Sequence, residues 1–445
     1  LVCPINFAKT AMHPEPIHAA PVASNVPNAP TADSAPDMRL FFLDWLRIIA
    51  FFVLILFHVG MYYVSWGFHI KSPFAGSPYA SPTIEPLMML TSPWRLSLLF
   101  MISGVASAFM LKKLAPRPFV RQRSRRLLVP LLFGMLVIVP PQSYLEVVEK
   151  AAYQGSYIEF MTFYLKAYQG FCDKDGCLIL PTWNHLWFVM YLWAYTVLFG
   201  ILMWAMGERY ELLAARCGRF LQGWKLMLVP IALLALARIG LIEHFAPTNN
   251  LVRDWYNHAQ YFPLFLLGAL VARQRNFWQA LDAMRWPALG LALACWALIV
   301  VNMHWPTGKT MPVDSIFWRN CMDVLHAACQ WAAIVAACGF AHRHLQFDSA
   351  KRRYLAQAVF PVYILHQTLF IIMAHAFKPA RMPPLLEGVI LVLLTLILSL
   401  AGFEAVRRVT WLRPLFGLAP LDQASGAVSP SNLPTANFPK VNLPT

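Results

Sequence analysis

The chain has 445 residues, of which 58% are hydrophobic and only 13% charged, with a formal net charge of +15. Soluble domains carry about a quarter charged residues, and here the apolar residues fall in long blocks, which excludes a water-soluble globular protein. The basic residues cluster between those blocks, where orientation signals belong, so the positive charge does not point to nucleic acid.

Residues 1–37 are rich in Pro and Ala, without an apolar run of signal-peptide type, and are expected to be disordered. The first apolar block, Leu40–Val64, is long enough to cross a bilayer and is read as an uncleaved anchor. It contains three ionisable side chains, Asp44, Arg47 and His58. At about 100° per residue, the steps from Arg47 to His58 return the helix to within roughly 20° of its starting direction, with an axial rise of about 16 Å. Asp44 joins the same stripe, Asp44–Arg47–Phe51–Leu54–His58. Charged groups in a membrane helix cost a few kcal/mol each, so this stripe should face protein or water.

A loop to about Pro93 precedes the second block, Trp94–Leu111, and then comes the most basic stretch, Lys112–Arg126, which has no acid. The positive-inside rule places that stretch, and with it the N-terminus, in the cytoplasm. The third block, Leu127–Val139, is closed by Pro140-Pro141. The acidic, aromatic loop Gln142–Thr182 follows and should be external; in an oxidising compartment its Cys172 and Cys177 would close a small loop, and two unpaired thiols fit equally.

Further blocks are Asn184–Met206, Leu226–Ile242, Ala259–Val271, Trp286–Val301, Ile316–Ala341, Ala356–Ala376 and Leu385–Glu404. The expected fold is therefore an all-α polytopic membrane protein with about ten transmembrane helices and both termini cytoplasmic. One short loop, with Lys378 and Arg381, is basic where the alternation makes it external. Residues 414–445 read as a disordered tail, leaving 38–413 as the membrane domain. The remaining cysteines are scattered through apolar blocks without C-x-x-C spacing, so no metal site is read.

Among the polar residues, His185 in Asn184-His185-Leu186-Trp187-Phe188 and His258 in Asn257-His258-Ala259-Gln260-Tyr261 map with His58 to the external boundary. His185 and His258 equally fit an interfacial aromatic belt. His366 in Tyr363-Ile364-Leu365-His366-Gln367 sits mid-span, where a packing histidine bonded to a neighbouring helix is the plain alternative. Ser103-Gly104 reads first as a small-residue contact that lets helices approach. The basic stretch needs no role beyond orientation, yet Arg125 and Arg126 are placed to hold the phosphates of a nucleotide-like donor.

Arg47 and His58, with ten residues between them, resemble the signature of the membrane-bound acyltransferase-3 family. Phe100-Met101-Ile102-Ser103-Gly104, the arginines before the third block and Tyr363-Ile364-Leu365-His366-Gln367 add to the resemblance. The wording of Leu43-Asp44-Trp45-Leu46-Arg47, His185-Leu186-Trp187-Phe188 and Asn257-His258-Ala259-Gln260-Tyr261 is similar to the branch containing the periplasmic-glucan succinyltransferase. The resemblance covers roughly residues 38–410 and implies a multi-pass enzyme of the bacterial inner membrane. Acyl-CoA would be the cytoplasmic donor, with no permanently bound cofactor, and an acetyl or succinyl group would pass to a carbohydrate hydroxyl outside.

On that reading His58 is the general base, a role suited to a histidine, or the nucleophile of an acyl-histidine intermediate, and the two are left open. Arg47 holds the donor or stabilises charge, with Asp44 fixing its guanidinium. His185, Asn184, His258 and Tyr261 line the acceptor side, with Ser103, Tyr363 and His366 as further substrate contacts and Arg125 and Arg126 on the donor. The rival class is a transporter or exporter in which the same Asp/Arg/His stripe relays protons without acyl chemistry. Oligomeric state is left open.

Overall fold

A computed structural model describes residues 40–76, 81–173, 176–305 and 315–420. The expectations of disorder for residues 1–37 and for the tail past 420 lie outside these residues. The described chain is helical: α1 (Phe41–Tyr63), α2 (Ser81–Lys113), α3 (Pro116–Phe133), α4 (Pro140–Lys150), α5 (Tyr157–Leu165), α6 (Trp187–Met206), α7 (Arg209–Phe220), α8 (Lys225–Leu241), α9 (Trp255–Val271), α10 (Arg275–Met303), α11 (Ser315–His344), α12 (Ala350–Phe377), α13 (Pro384–Arg408) and α14 (Leu412–Leu415). Its two short strands, Cys172–Asp173 and Gly176–Cys177, pair across a Cys172–Cys177 disulfide.

Seven helices are long and apolar enough to cross a membrane, or up to nine if each of two bent pairs is one span. The sixth expected span is α9, which at 17 residues gives about 25 Å of helix, slightly less than a bilayer core. Several boundaries differ from the sequence expectation. The loop expected up to Pro93 is largely helix, because α2 runs through Pro86 and Pro93. Membrane helices tolerate proline where neighbouring groups satisfy the freed carbonyls. The fifth expected span is likewise preceded by a helix, α7, which meets α8 at a 109° bend.

The third block departs most usefully. Pro140-Pro141 does not end it but starts α4, where prolines lose no hydrogen bond in the first turn. Between α3 and α4 the chain makes a π turn, Gly134–Ile138, with Val139 N–H donating to Gly134 O at 2.8 Å. That wider turn bends the pair by 42°. The carbonyl of Ile138 accepts the Thr368 hydroxyl at 2.8 Å and that of Met135 accepts the Tyr164 hydroxyl at 2.7 Å. The bulge thus ties α4 and α5 to α12 and brings Gln142 into the core.

α1 packs against α2, α11, α12 and α13. α2 and α9 approach closely: a Cβ added at Gly104 would stand 1.9 Å from the carbonyl oxygen of Phe265. This is the small-residue contact anticipated for Ser103-Gly104, made by the glycine. At the far end of α12, Lys378 donates to Glu149 at 2.5 Å, so one of the two cations of the short basic loop that disturbed the charge alternation is paired on α4. Residues 414–420 pack onto the bundle, with Phe416 buried against Phe133.

Candidate active site

The stripe on α1 meets a matching stripe on α12, and the two helices run parallel. Asp44 pairs with Arg352, Arg47 Nη2 donates to Ala356 O at 3.3 Å, and His58 Nδ1 lies 2.9 Å from His366 Nε2. Between these levels Phe51 and Leu54 are buried, Phe51 with its ring 5.3 Å from that of Tyr363. Arg47 and His58 therefore face one seam, with a packed aromatic layer separating its two polar ends.

Hydrogen bonding fixes the tautomers at the histidine end. His366 Nδ1 lies 2.7 Å from the carbonyl of Tyr363, which can only accept, so Nδ1 carries the proton and Nε2 the lone pair. His58 must then donate from Nδ1 to His366 Nε2, which leaves His58 Nε2 with a free lone pair. His58 is partly exposed, whereas His366 is 1% exposed. A backbone carbonyl thus orients one imidazole through another, the arrangement required of a positioned base.

His185 is near this pair, its ring 5.3 Å from that of His366. Its Nε2–H donates to Ile364 O at 3.2 Å, and its Nδ1 accepts from Gln142 Nε2 at 3.4 Å. Gln142 also donates to Thr368 Oγ1 at 2.5 Å and accepts from Asn184 Nδ2 and Gln367 Nε2, both at 3.1 Å. The Tyr363 hydroxyl donates to the His185 carbonyl. His185, Asn184 and Tyr363, read from sequence as substrate contacts, are bonded within the protein and hold the His58–His366 pair in place.

The opposite end is ionic. Arg47 Nη2 donates to Asp44 Oδ1 at 3.1 Å, with both side chains 34% exposed. Asp44 is shared between Arg47 and Arg352, and Arg352 also donates to Asp348 at 2.7 Å. Hydrogen bonds from Arg352 and then Arg353 hold the Asp348 carboxyl below the usual carboxylate range. Arg123 is buried with its Nε unpartnered, and electrostatic coupling links it to Arg126 and Arg47. Arg125 and Arg126 are both exposed, and Arg123 is the residue that turns inward instead. Arg123 stands four residues before the buried Leu127 on α3, on its inner face.

Two further expectations change. The Ser103 hydroxyl donates to Leu99 O at 2.8 Å, one turn back in its own helix, so it is bonded to backbone. His258 forms a separate cluster: its Nε2–H donates to Leu251 O at 2.7 Å, its Nδ1 accepts from Tyr195 OH at 2.9 Å, and its ring stacks on Tyr191. Both nitrogens are occupied, which makes it a brace between α6 and α9. Tyr261 lies at the edge of that cluster, stacked on Phe100 with ring centroids 4.9 Å apart.

Sequence reasoning passed over Gln142, Thr368, Arg352 and Arg95. Gln142 and Thr368 carry no charge, and nothing local marks them. Arg95 did carry a signal, being a charged residue inside an apolar block, the criterion that singled out Arg47 and His58.

Comparison with known proteins accords with this geometry. The acyltransferase-3 family model, described as an acyltransferase domain, matches residues 40–404, most of the chain. The chain belongs to the acyltransferase-3 family. It is 24% identical over 405 residues to "Glucans biosynthesis protein C" of Salmonella schwarzengrund (strain CVM19633), covering 88% of this chain and 99% of that protein. The same identity and coverage hold for the proteins of that name from Salmonella heidelberg (strain SL476) and Salmonella typhi. No solved structure matches. Family membership makes the protein a multi-pass membrane acyltransferase with an acyl donor and an acceptor, and sets the transporter reading aside.

Proposed function

We propose that this acyltransferase moves an acetyl or succinyl group from acyl-CoA to a hydroxyl of a glycan across the bacterial inner membrane. The donor enters at the arginine-rich end, taken as cytoplasmic, and the acceptor at the end bearing the disulfide hairpin. The observation that carries the reading is the chain Tyr363 carbonyl–His366–His58, which leaves a lone pair on His58 Nε2.

In this scheme His58 Nε2 removes the proton of the acceptor hydroxyl as its oxygen attacks the thioester carbonyl carbon. The C–S bond then breaks, and the departing sulfur takes the proton from the imidazolium, giving an ester and free CoA thiol. A sugar hydroxyl is a weak nucleophile, and a positioned base contributes roughly 10²–10⁴-fold to such a step. Arg47, Arg123 and Arg126 hold donor phosphates at the basic end, where guanidinium forks suit phosphate oxygens. Asp44 orients Arg47 and ties α1 to Arg352.

The test compares, by mass, the glycans of cells with the wild-type protein, without it, and with His58→Ala. Wild type should add an acyl mass that the other two lack, while His58→Ala still reaches the membrane at normal level. Full acylation in a membrane-inserted His58→Ala protein would remove the base from the scheme.

A further inference from the structure

Arg95 is the buried cation near His58 that the scheme above leaves without work. It sits on α2, 2% exposed, with its guanidinium carbon 4.1 Å from the centre of the Phe57 ring. Its one hydrogen bond among the described residues is a long one, Nη1 to Thr91 Oγ1 at 3.4 Å. Its Nε is buried without a partner, and among the described residues no carboxylate pairs with it. Phe57 sets Arg95 beside His58, the Phe57 and His58 rings being 6.0 Å apart.

A guanidinium inside a membrane bundle is costly unless an anion meets it. Arg352 has such partners in Asp44 and Asp348, and the half-buried Arg238 has Asp323, while Arg123, also unpaired among the described residues, stands at the donor end. Arg95 has a cation–π contact with Phe57, which holds the group but does not neutralise it. No described residue supplies its anion, so a bound anionic ligand would find an unpaired cation there. The position says which one. Phosphates of the donor are met at the Arg47 level, one end of the seam, whereas Arg95 touches Phe57, the neighbour of His58. Beyond the carbonyl that reacts at His58 Nε2, the donor has only its acyl chain.

We propose that Arg95 recognises a carboxylate at the far end of the transferred acyl group, making it the residue that selects a dicarboxylic acyl donor over a plain one. This rests on the reading of His58 as the acyl-transfer centre. The planar fork of Arg95, with Nε and an Nη on one edge, fits a carboxylate through two parallel hydrogen bonds. The charge of such a carboxylate is permanent. A tetrahedral oxyanion would exist only fleetingly and would leave the guanidinium unpaired for the rest of the cycle.

Succinyl-CoA and butyryl-CoA test this, since their acyl chains match in length and differ by a terminal carboxylate against a methyl. Binding is measured to His58→Ala protein in phospholipid vesicles, which holds donors without turning them over. Succinyl-CoA should bind at least about tenfold more tightly, as expected for a charge-assisted pair. Adding Arg95→Gln should bring the ratio close to one by weakening succinyl-CoA alone, and Arg95→Lys should retain part of the preference. Unchanged butyryl-CoA binding certifies that the variant is folded. Equal affinities before Arg95 is changed, or an equal loss for both donors on changing it, would overturn the proposal; the latter result would mark an oxyanion or packing role. Turnover is read separately with His58 intact: absence of transfer from any donor would reject the acyl-transfer reading, while the binding ratio still decides Arg95.

Discussion

The two ends of the α1–α12 seam use the same pair of helices for opposite purposes. At the His58 end the polar groups joining α1 and α4 to α12 are uncharged, bonded to one another and to carbonyls, with one lone pair left over. At the Arg47 end Asp44 and Arg47 are each 34% exposed and Asp44 pairs across the helices with the buried Arg352, with Arg123 contributing a further unpaired guanidinium edge. A neutral, dry network fixes the position of a proton, because each donor and acceptor has one permitted partner. A wet ionic cluster fixes little but attracts anions, because solvent lets its pairs exchange. The first suits chemistry and the second suits holding a charged donor.

Changes at the two ends should therefore separate turnover from binding. His366→Ala removes the acceptor that orients His58 and should lower kcat by about 10²-fold with donor KM little changed. His366→Gln should recover part of that loss, since its amide oxygen accepts from His58 Nδ1–H; equal activity of the two variants would argue that His366 only fills space. Arg47→Lys replaces a fork with a point charge and should raise donor KM by about tenfold while changing kcat less. A mainly kcat effect there would erase the distinction between the ends. Asp44→Asn should act in the same sense by a few-fold, because Arg47 keeps its contact with Ala356 O. Raising salt from about 0.05 to 0.5 M should weaken donor binding and leave kcat at saturating donor unchanged, as half-exposed charges are screened and the buried network is not. The smallest effects belong to Arg125→Ala, which touches no part of the cluster, and to His258→Gln. The latter should cost about 1–2 kcal/mol of stability through its lost brace, with kcat/KM within about twofold of wild type.

Much of this was legible without coordinates. Helical periodicity alone put Asp44, Arg47 and His58 on one face, and the cost of charge in lipid demanded that the face be covered. His366 also stood out as an imidazole in mid-span. Other readings failed for local reasons. Proline was taken as a stop at Pro93 and Pro140, yet it lies inside one helix and opens another. Arg125 and Arg126 were preferred because they adjoin the third block, but helix phase turns Arg123 inward and Arg125 out. His258 matched the family wording and proved fully bonded, which composition cannot reveal.

The sequence by itself determined the membrane class, the family and the α1 stripe, because those follow from hydropathy, spacing and short motifs along one segment. Only the tertiary structure decided which helix answers that stripe, which tautomer His58 takes and which cation is left without an anion. The first two depend on partners some 300 residues away, such as His58 with His366 at a separation of 308. Proton positions and unpaired charges are properties of what surrounds a group, and surroundings of that kind are assembled only by folding.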